Sequence, residues 1–92
     1  MRGMIEIQND GRVWRLLAET VKTTDREERI RVMGRNKAII LQSNRPYLRN
    51  RGLKYRRPTW KLVEGKGANM AVLEKIITAV MEMLEPNELT NK

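Results

Sequence analysis

The run over residues 69–84 leaves few architectures open to the rest of the chain. Its apolar residues recur at helical spacing, with Met70, Val72, Leu73, Ile76, Ile77, Ala79, Val80, Met81, Met83 and Leu84 on one arc. At 100° per residue that arc spans about 200°, and Ala71, Glu74, Lys75, Thr78, Glu82 and Glu85 fill the remainder. Asn69 suits the N-cap and Pro86 stands just past the end. The spacing predicts a helix of about 24 Å. A helix lying on a twisted sheet needs an apolar stripe only somewhat over 100° wide. The excess serves either as the periphery of a core or as the surface of a homodimer, and soft Met side chains suit both.

Upstream the hydrophobic period is two. Ile5 and Ile7 alternate with Glu6 and Gln8, and Asn9-Asp10-Gly11 follows. Asp-Gly is a strong two-residue hairpin signal because both residues tolerate positive φ. The segment from Arg12 into the Val21 region fits two templates. As a helix it would line up Val13, Trp14, Leu17, Ala18 and Val21, with Arg15 and Glu19 paired at i, i+4. As a strand it would turn Trp14, Leu16 and Ala18 one way and Val13, Leu17 and Val21 the other; the Asp-Gly turn favours the strand.

The polar residues 23–28 read as a turn or a single helical turn. Alternation returns from Arg29 with Ile30 and Val32 inward, breaks at Gly34-Arg35-Asn36, and resumes over residues 37–43 with Ile39 and Leu41 inward and Ile40 opposite. Pro46 suits a helical first turn and Gly52 the left-handed C′ position, which makes Leu48 and Leu53 the apolar pair of a Schellman cap; a short helical turn over 46–51 follows. Residues 58–64 read as a last strand, with Trp60 and Leu62 on one side and Thr59, Lys61 and Val63 on the other. The expected fold is α+β: a mostly antiparallel sheet of about five short strands packed against one long C-terminal helix. Residues 1–86 form a single domain and residues 87–92 a frayed tail.

Charge is the second constraint. Between Arg45 and Lys61 lie seven basic residues and no acidic one; removing those seven from the chain's 19 Lys and Arg leaves 12, against 11 Asp and Glu. The net charge of +8 therefore belongs almost entirely to one window, which also holds Tyr47, Tyr55 and Trp60, three of the four aromatics. A basic run with aromatics at intervals can hold phosphates and stack on bases. Trp60 belongs with the core, so the candidate nucleic-acid-binding residues are Arg45, Tyr47, Arg49, Arg51, Lys54, Tyr55, Arg56, Arg57 and Lys61. Glu82, Glu85 and Glu88 are the carboxylates that could neutralise this segment from within.

The residue types present also restrict the chemistry. The chain has no His and no Cys. It thus lacks the commonest base, the commonest metal ligand and the best nucleophile. Glu27 with Glu28, and Glu82 with Glu85, read as solvated carboxylates, and no catalytic residue, metal site or cofactor is expected. Gly65-Lys66-Gly67 before the last helix resembles an anion-binding nest but reads better as a linker, and P-loop spacing is absent. The signatures of an RRM, a KH loop and a zinc finger are absent too. No membrane-spanning run or signal peptide is seen, so a cytoplasmic setting is expected. The sequence points to a small non-enzymatic nucleic-acid-binding protein, for DNA or RNA, that contacts backbone phosphates through residues 45–61. The alternative is an accessory or assembly protein that docks on an acidic protein partner or self-associates through its C-terminal helix.

Overall fold

The computed structural model describes residues 1–35, 37–53, 55–66 and 69–85. In chain order its elements are β1 (Arg2–Asn9), β2 (Arg12–Thr23), β3 (Glu28–Met33), β4 (Ala38–Ser43), α1 (Arg45–Asn50), β5 (Trp60–Glu64) and α2 (Met70–Leu84). The strands form one antiparallel sheet in the order β1-β2-β3-β4-β5. The fold is α+β, as the patterns require. Two lengths differ from expectation: the C-terminal helix is short, at 15 residues, and β2 is a long strand of 12. The readings placed on Asn36, Gly67, Pro86 and residues 87–92 lie outside the described residues.

The first hairpin sets the register. Asp10 (φ 53°) and Gly11 (φ 75°) both sit in the left-handed region of a two-residue turn that pairs Asn9 with Arg12. Ile5 then faces Leu16 and Ile7 faces Trp14. This settles residues 12–22 as strand, because only a period of two puts Leu16 and Ala18 into the core together. The sheet contributes Ile5, Ile7, Leu16, Ala18, Ile30, Val32, Ile39 and Leu41 to that core, and α2 contributes Val72, Ile76 and Val80. Burying each larger aliphatic side chain stabilises the fold by about 1.5–3 kcal/mol.

Leu73, Ile77, Ala79, Met83 and Leu84 pack around the edge of this core, while Met70, on the same arc, is 73% exposed. Trp60 also packs there, and its indole N–H donates to Met81 Sδ at 3.3 Å. Asn69 caps the helix as expected, its Oδ1 accepting from the Val72 N–H at 2.9 Å.

Two bulges interrupt the ladders. Thr20 pairs with Ile30, but the next partners are Lys22 and Arg29, so Val21 is an extra residue. Without it Lys22 would keep the facing of Thr20 and Ala18, towards α2. The insertion turns Lys22 to the open face instead, beside Arg29. On β5, Leu62 pairs with Leu41 and Glu64 with Ile40, which makes Val63 the extra residue there.

The chain between β4 and β5 is built as its Pro and Gly imply. α1 buries Pro46 and Leu48. Beyond it Gly52 has φ 69°; the Leu53 N–H donates to the Leu48 carbonyl at 2.7 Å and the Gly52 N–H to the Arg49 carbonyl at 3.1 Å. Those two bonds define the Schellman cap. An added Cβ at Gly52 would meet no heavy atom within 4 Å, so the cost of substitution is backbone strain alone. Gly52→Val should therefore cost about 1–2 kcal/mol, or roughly 5–10 °C in Tm, and Gly52→Asn markedly less. Thermal unfolding followed by circular dichroism separates the two variants, and equal Tm values would refute the cap.

Candidate nucleic-acid interface

Arg45, first in the basic run, is turned inward. Its Nε and Nη2 donate to Glu28 Oε2 and Oε1 at 2.5 and 2.9 Å, and its Nη1 donates to Glu85 Oε1 at 3.0 Å. The Arg45 side chain keeps 12% of its surface exposed and that of Glu28 only 4%. Ser43 completes the group: its Oγ accepts from the Arg45 backbone N–H at 3.0 Å and donates to Glu28 Oε2 at 3.3 Å. The bidentate bond to Glu28, more than any other contact, holds the guanidinium in its protonated form. Three of the five N–H donors of Arg45 are thus committed within the fold. Glu28, expected as a solvated turn residue, is a buried strand residue paired with Ser43. Of the proposed internal neutralisers, Glu85 reaches a cation of the segment, Glu82 is exposed, and Glu88 lies outside the described residues.

The rest of the segment faces out. Arg49, Arg51, Arg56, Arg57 and Lys61 are exposed, and Lys54 lies outside the described residues. Tyr55 is 81% exposed, an uncovered ring on the turn after α1. Tyr47 is less available, because the Arg51 guanidinium carbon sits 5.1 Å from its ring centroid. That cation–π contact, between residues four apart, fixes Arg51 over the ring. Asn50 ties α1 to the β2–β3 turn, with its Nδ2 donating to the Asp25 carbonyl at 2.8 Å.

The sheet adds cations that the linear window missed. Lys22 pairs with Arg29, Arg29 with Gln42, and Gln42 with Lys61, so the four form one cross-strand row. Directly paired residues point to the same face, and here it is the face opposite α2. Arg29 Nε donates to Gln42 Oε1 at 3.0 Å along this row. With strands about 4.8 Å apart, Lys22 and Lys61 stand roughly 5 and 10 Å from Arg29 along the row. Lys61 joins the row to the exposed residues after α1. Among the described residues no ion pair engages Lys22, Arg29, Arg49, Arg51, Arg56, Arg57 or Lys61. Asp25 and Glu27 in the nearby turn are the carboxylates that reduce the local excess.

The next row is self-neutralised. Glu19 accepts from Arg31 and lies 3.7 Å from Arg2. The Arg31 hydrogen bond, and secondarily the charge of both arginines, keeps the Glu19 carboxyl below the usual carboxylate range. Excess charge on the open face is thereby confined to the α1 end.

Comparison with known protein families, with curated proteins and with solved structures finds no match to this chain. Among the described residues no helix is long and apolar enough to cross a membrane, and no three acidic side chains gather as a metal-ion cage would require.

The buried ion group makes a stability claim. Arg45→Ala strands Glu28 without its cation and should cost about 3–5 kcal/mol in urea unfolding. Replacing the pair together, Arg45→Met with Glu28→Leu, should recover most of that loss, because apolar replacement of a buried pair is often neutral. A loss below about 1 kcal/mol for Arg45→Ala would show that the pair does not hold this end of the fold.

Proposed function

We propose that this chain is a small non-enzymatic nucleic-acid-binding protein that engages backbone phosphates at the α1 end of its sheet. One observation carries the reading: cations in no ion pair among the described residues run as a row from Lys22 and Arg29 across the open face to Lys61, and Arg49, Arg51, Arg56 and Arg57 are exposed on the chain between β4 and β5. Such a patch is the electrostatic footprint of phosphate binding. Tyr55 supplies a stacking ring for unpaired bases and Tyr47 supports Arg51. Arg45 holds the platform and contacts no phosphate. A cytoplasmic setting belongs to this reading, as does the absence of a cofactor.

Arg49 and Arg51 lie about 200° apart on a helix, so one strand of phosphates reaches only part of the set. Three or four engaged phosphates give a log K against log salt slope of about −3 for duplex DNA. Arg56→Glu with Arg57→Glu should abolish oligonucleotide binding in fluorescence anisotropy while leaving the unfolding curve intact. Lys61→Ala should flatten the slope by about one unit. Tyr55→Ala should weaken single strands by about 1–3 kcal/mol and duplex much less. Wild-type-like binding by the folded double-Glu variant would end the proposal. Capture of an acidic protein that a generic oligonucleotide fails to displace would favour the accessory-protein reading.

A further inference from the structure

The end of the sheet away from α1 has a second feature, which the basic window does not include. A cleft of about 670 Å³ opens between the β1–β2 turn, the β3–β4 turn, Lys66 and the first turns of α2. That volume is in the range of small-ligand pockets, roughly 300–1,000 Å³. Its floor is aliphatic, made by Leu16, Val32, Ile39, Val72 and Ile76. Those side chains are at most 9% exposed, so the apolar surface still open to a ligand is that of Trp14 and its neighbour Val13, 38% and 55% exposed, and the indole is its one planar face. A single planar ring matches that offer, whereas an acyl chain would need a long apolar trench.

The rim fixes the charge of the occupant. Arg12, Arg35, Lys37 and Lys66 border the cleft, and among the described lining residues none is acidic. Arg15 also reaches it, but its guanidinium is held by Glu6 at 3.1 Å. Among the described residues no ion pair engages the other four. Four cations around an open aromatic face complement a planar ring that carries phosphate.

From this we infer that the cleft binds one nucleotide, its base against Trp14 and its phosphate among Arg12, Arg35, Lys37 and Lys66. The nucleotide comes either as a free monophosphate or as one unit of a single strand. The site is separate from the phosphate surface at the α1 end and does not rest on it.

The test is an NMR titration of the ¹⁵N-labelled chain with AMP, adenosine, a short oligothymidylate and decanoate. It reads the Trp14 indole N–H and the backbone amides of Gly34 and Val72. The Trp60 indole N–H, which donates to Met81, serves as the internal control. Saturable shifts with AMP, and about tenfold weaker binding of adenosine, are expected for a charge-assisted phosphate site. Saturation by the oligonucleotide alone also supports the cleft and identifies the source as a strand. Arg12→Glu with Lys37→Glu, both exposed, should lower the affinity about tenfold or more. Repeating the titration on Arg56→Glu/Arg57→Glu reads the cleft with the α1 end disabled, so failure of one site is not mistaken for failure of the other. A Trp14 signal that ignores both AMP and the oligonucleotide at millimolar concentration overturns the inference. So does a cleft that prefers decanoate, or one indifferent to the Arg12 and Lys37 reversal.

Discussion

The bond between Arg45 and Glu28 is the constraint on which the α1 end depends. A six-residue helix has no stability of its own, because nucleation costs more than one or two turns return. α1 persists because Pro46 and Leu48 are buried and because Arg45 ties its first residue to β3 and to the last turn of α2. The geometry suits every partner. Glu28 receives both prongs of the guanidinium, Ser43 occupies one of its remaining lone pairs, and the cation stands at the negative end of the α2 dipole. Among the described residues no buried side-chain nitrogen or oxygen lacks a partner. A group this well satisfied can be buried without the usual penalty of an orphaned charge.

The same bond shapes the surface. Glu28 and Glu85 are used inside the fold, and Glu6 and Glu19 are used against Arg15, Arg31 and Arg2. A count over the linear sequence treats all carboxylates as equally able to neutralise, and so it finds the chain outside residues 45–61 nearly neutral. Pairing changes that distribution. Among the described residues, cations such as Lys22, Arg29, Arg12 and Lys37 stand in no ion pair, in regions where the count had cancelled them.

The alternation of apolar residues, the Asp10-Gly11 turn, the Asn69 cap and the Leu48-Gly52-Leu53 terminator are local signals, and each correctly indicated the structure around it. Charge placement is not local, and there the reading from sequence failed in two ways. Arg45 went to the surface set because nothing in a run of cations marks the one that is buried. A signal did exist: extending the inward set Ile30 and Val32 back by two residues reaches Glu28, and extending Ile39 and Leu41 forward reaches Ser43. A carboxylate on the core side of a strand requires a cation, and Arg45 is the nearest one after Ser43. The row from Lys22 to Lys61 was illegible for a different reason. Its register depends on the bulge at Val21, and a one-residue slip in β2 would send Lys22 to the other face.

The polar groups at the α1 end also limit what such a surface could read. Phosphate contacts position a protein on nucleic acid, and contacts to base edges specify the sequence. Asn and Gln amides are the usual partners of adenine, and the described residues at this end include Gln42, Asn44 and Asn50. Each has an internal use: Gln42 Oε1 accepts from Arg29, Asn44 Oδ1 accepts from the Thr59 N–H at 2.8 Å, and Asn50 Nδ2 donates to the Asp25 carbonyl. The arginines could in principle reach guanine, but bidentate readout needs a side chain held in one geometry. Among the exposed arginines that follow β4, Arg51, over Tyr47, has a described support of that kind. Arg56 and Arg57 precede β5 on exposed chain. On the nucleic-acid reading, therefore, affinity comes from charge and from stacking on Tyr55, neither of which distinguishes one base sequence from another. The amides that would have supplied sequence discrimination are already bonded within the fold, two of them where they hold α1 and β5 in place.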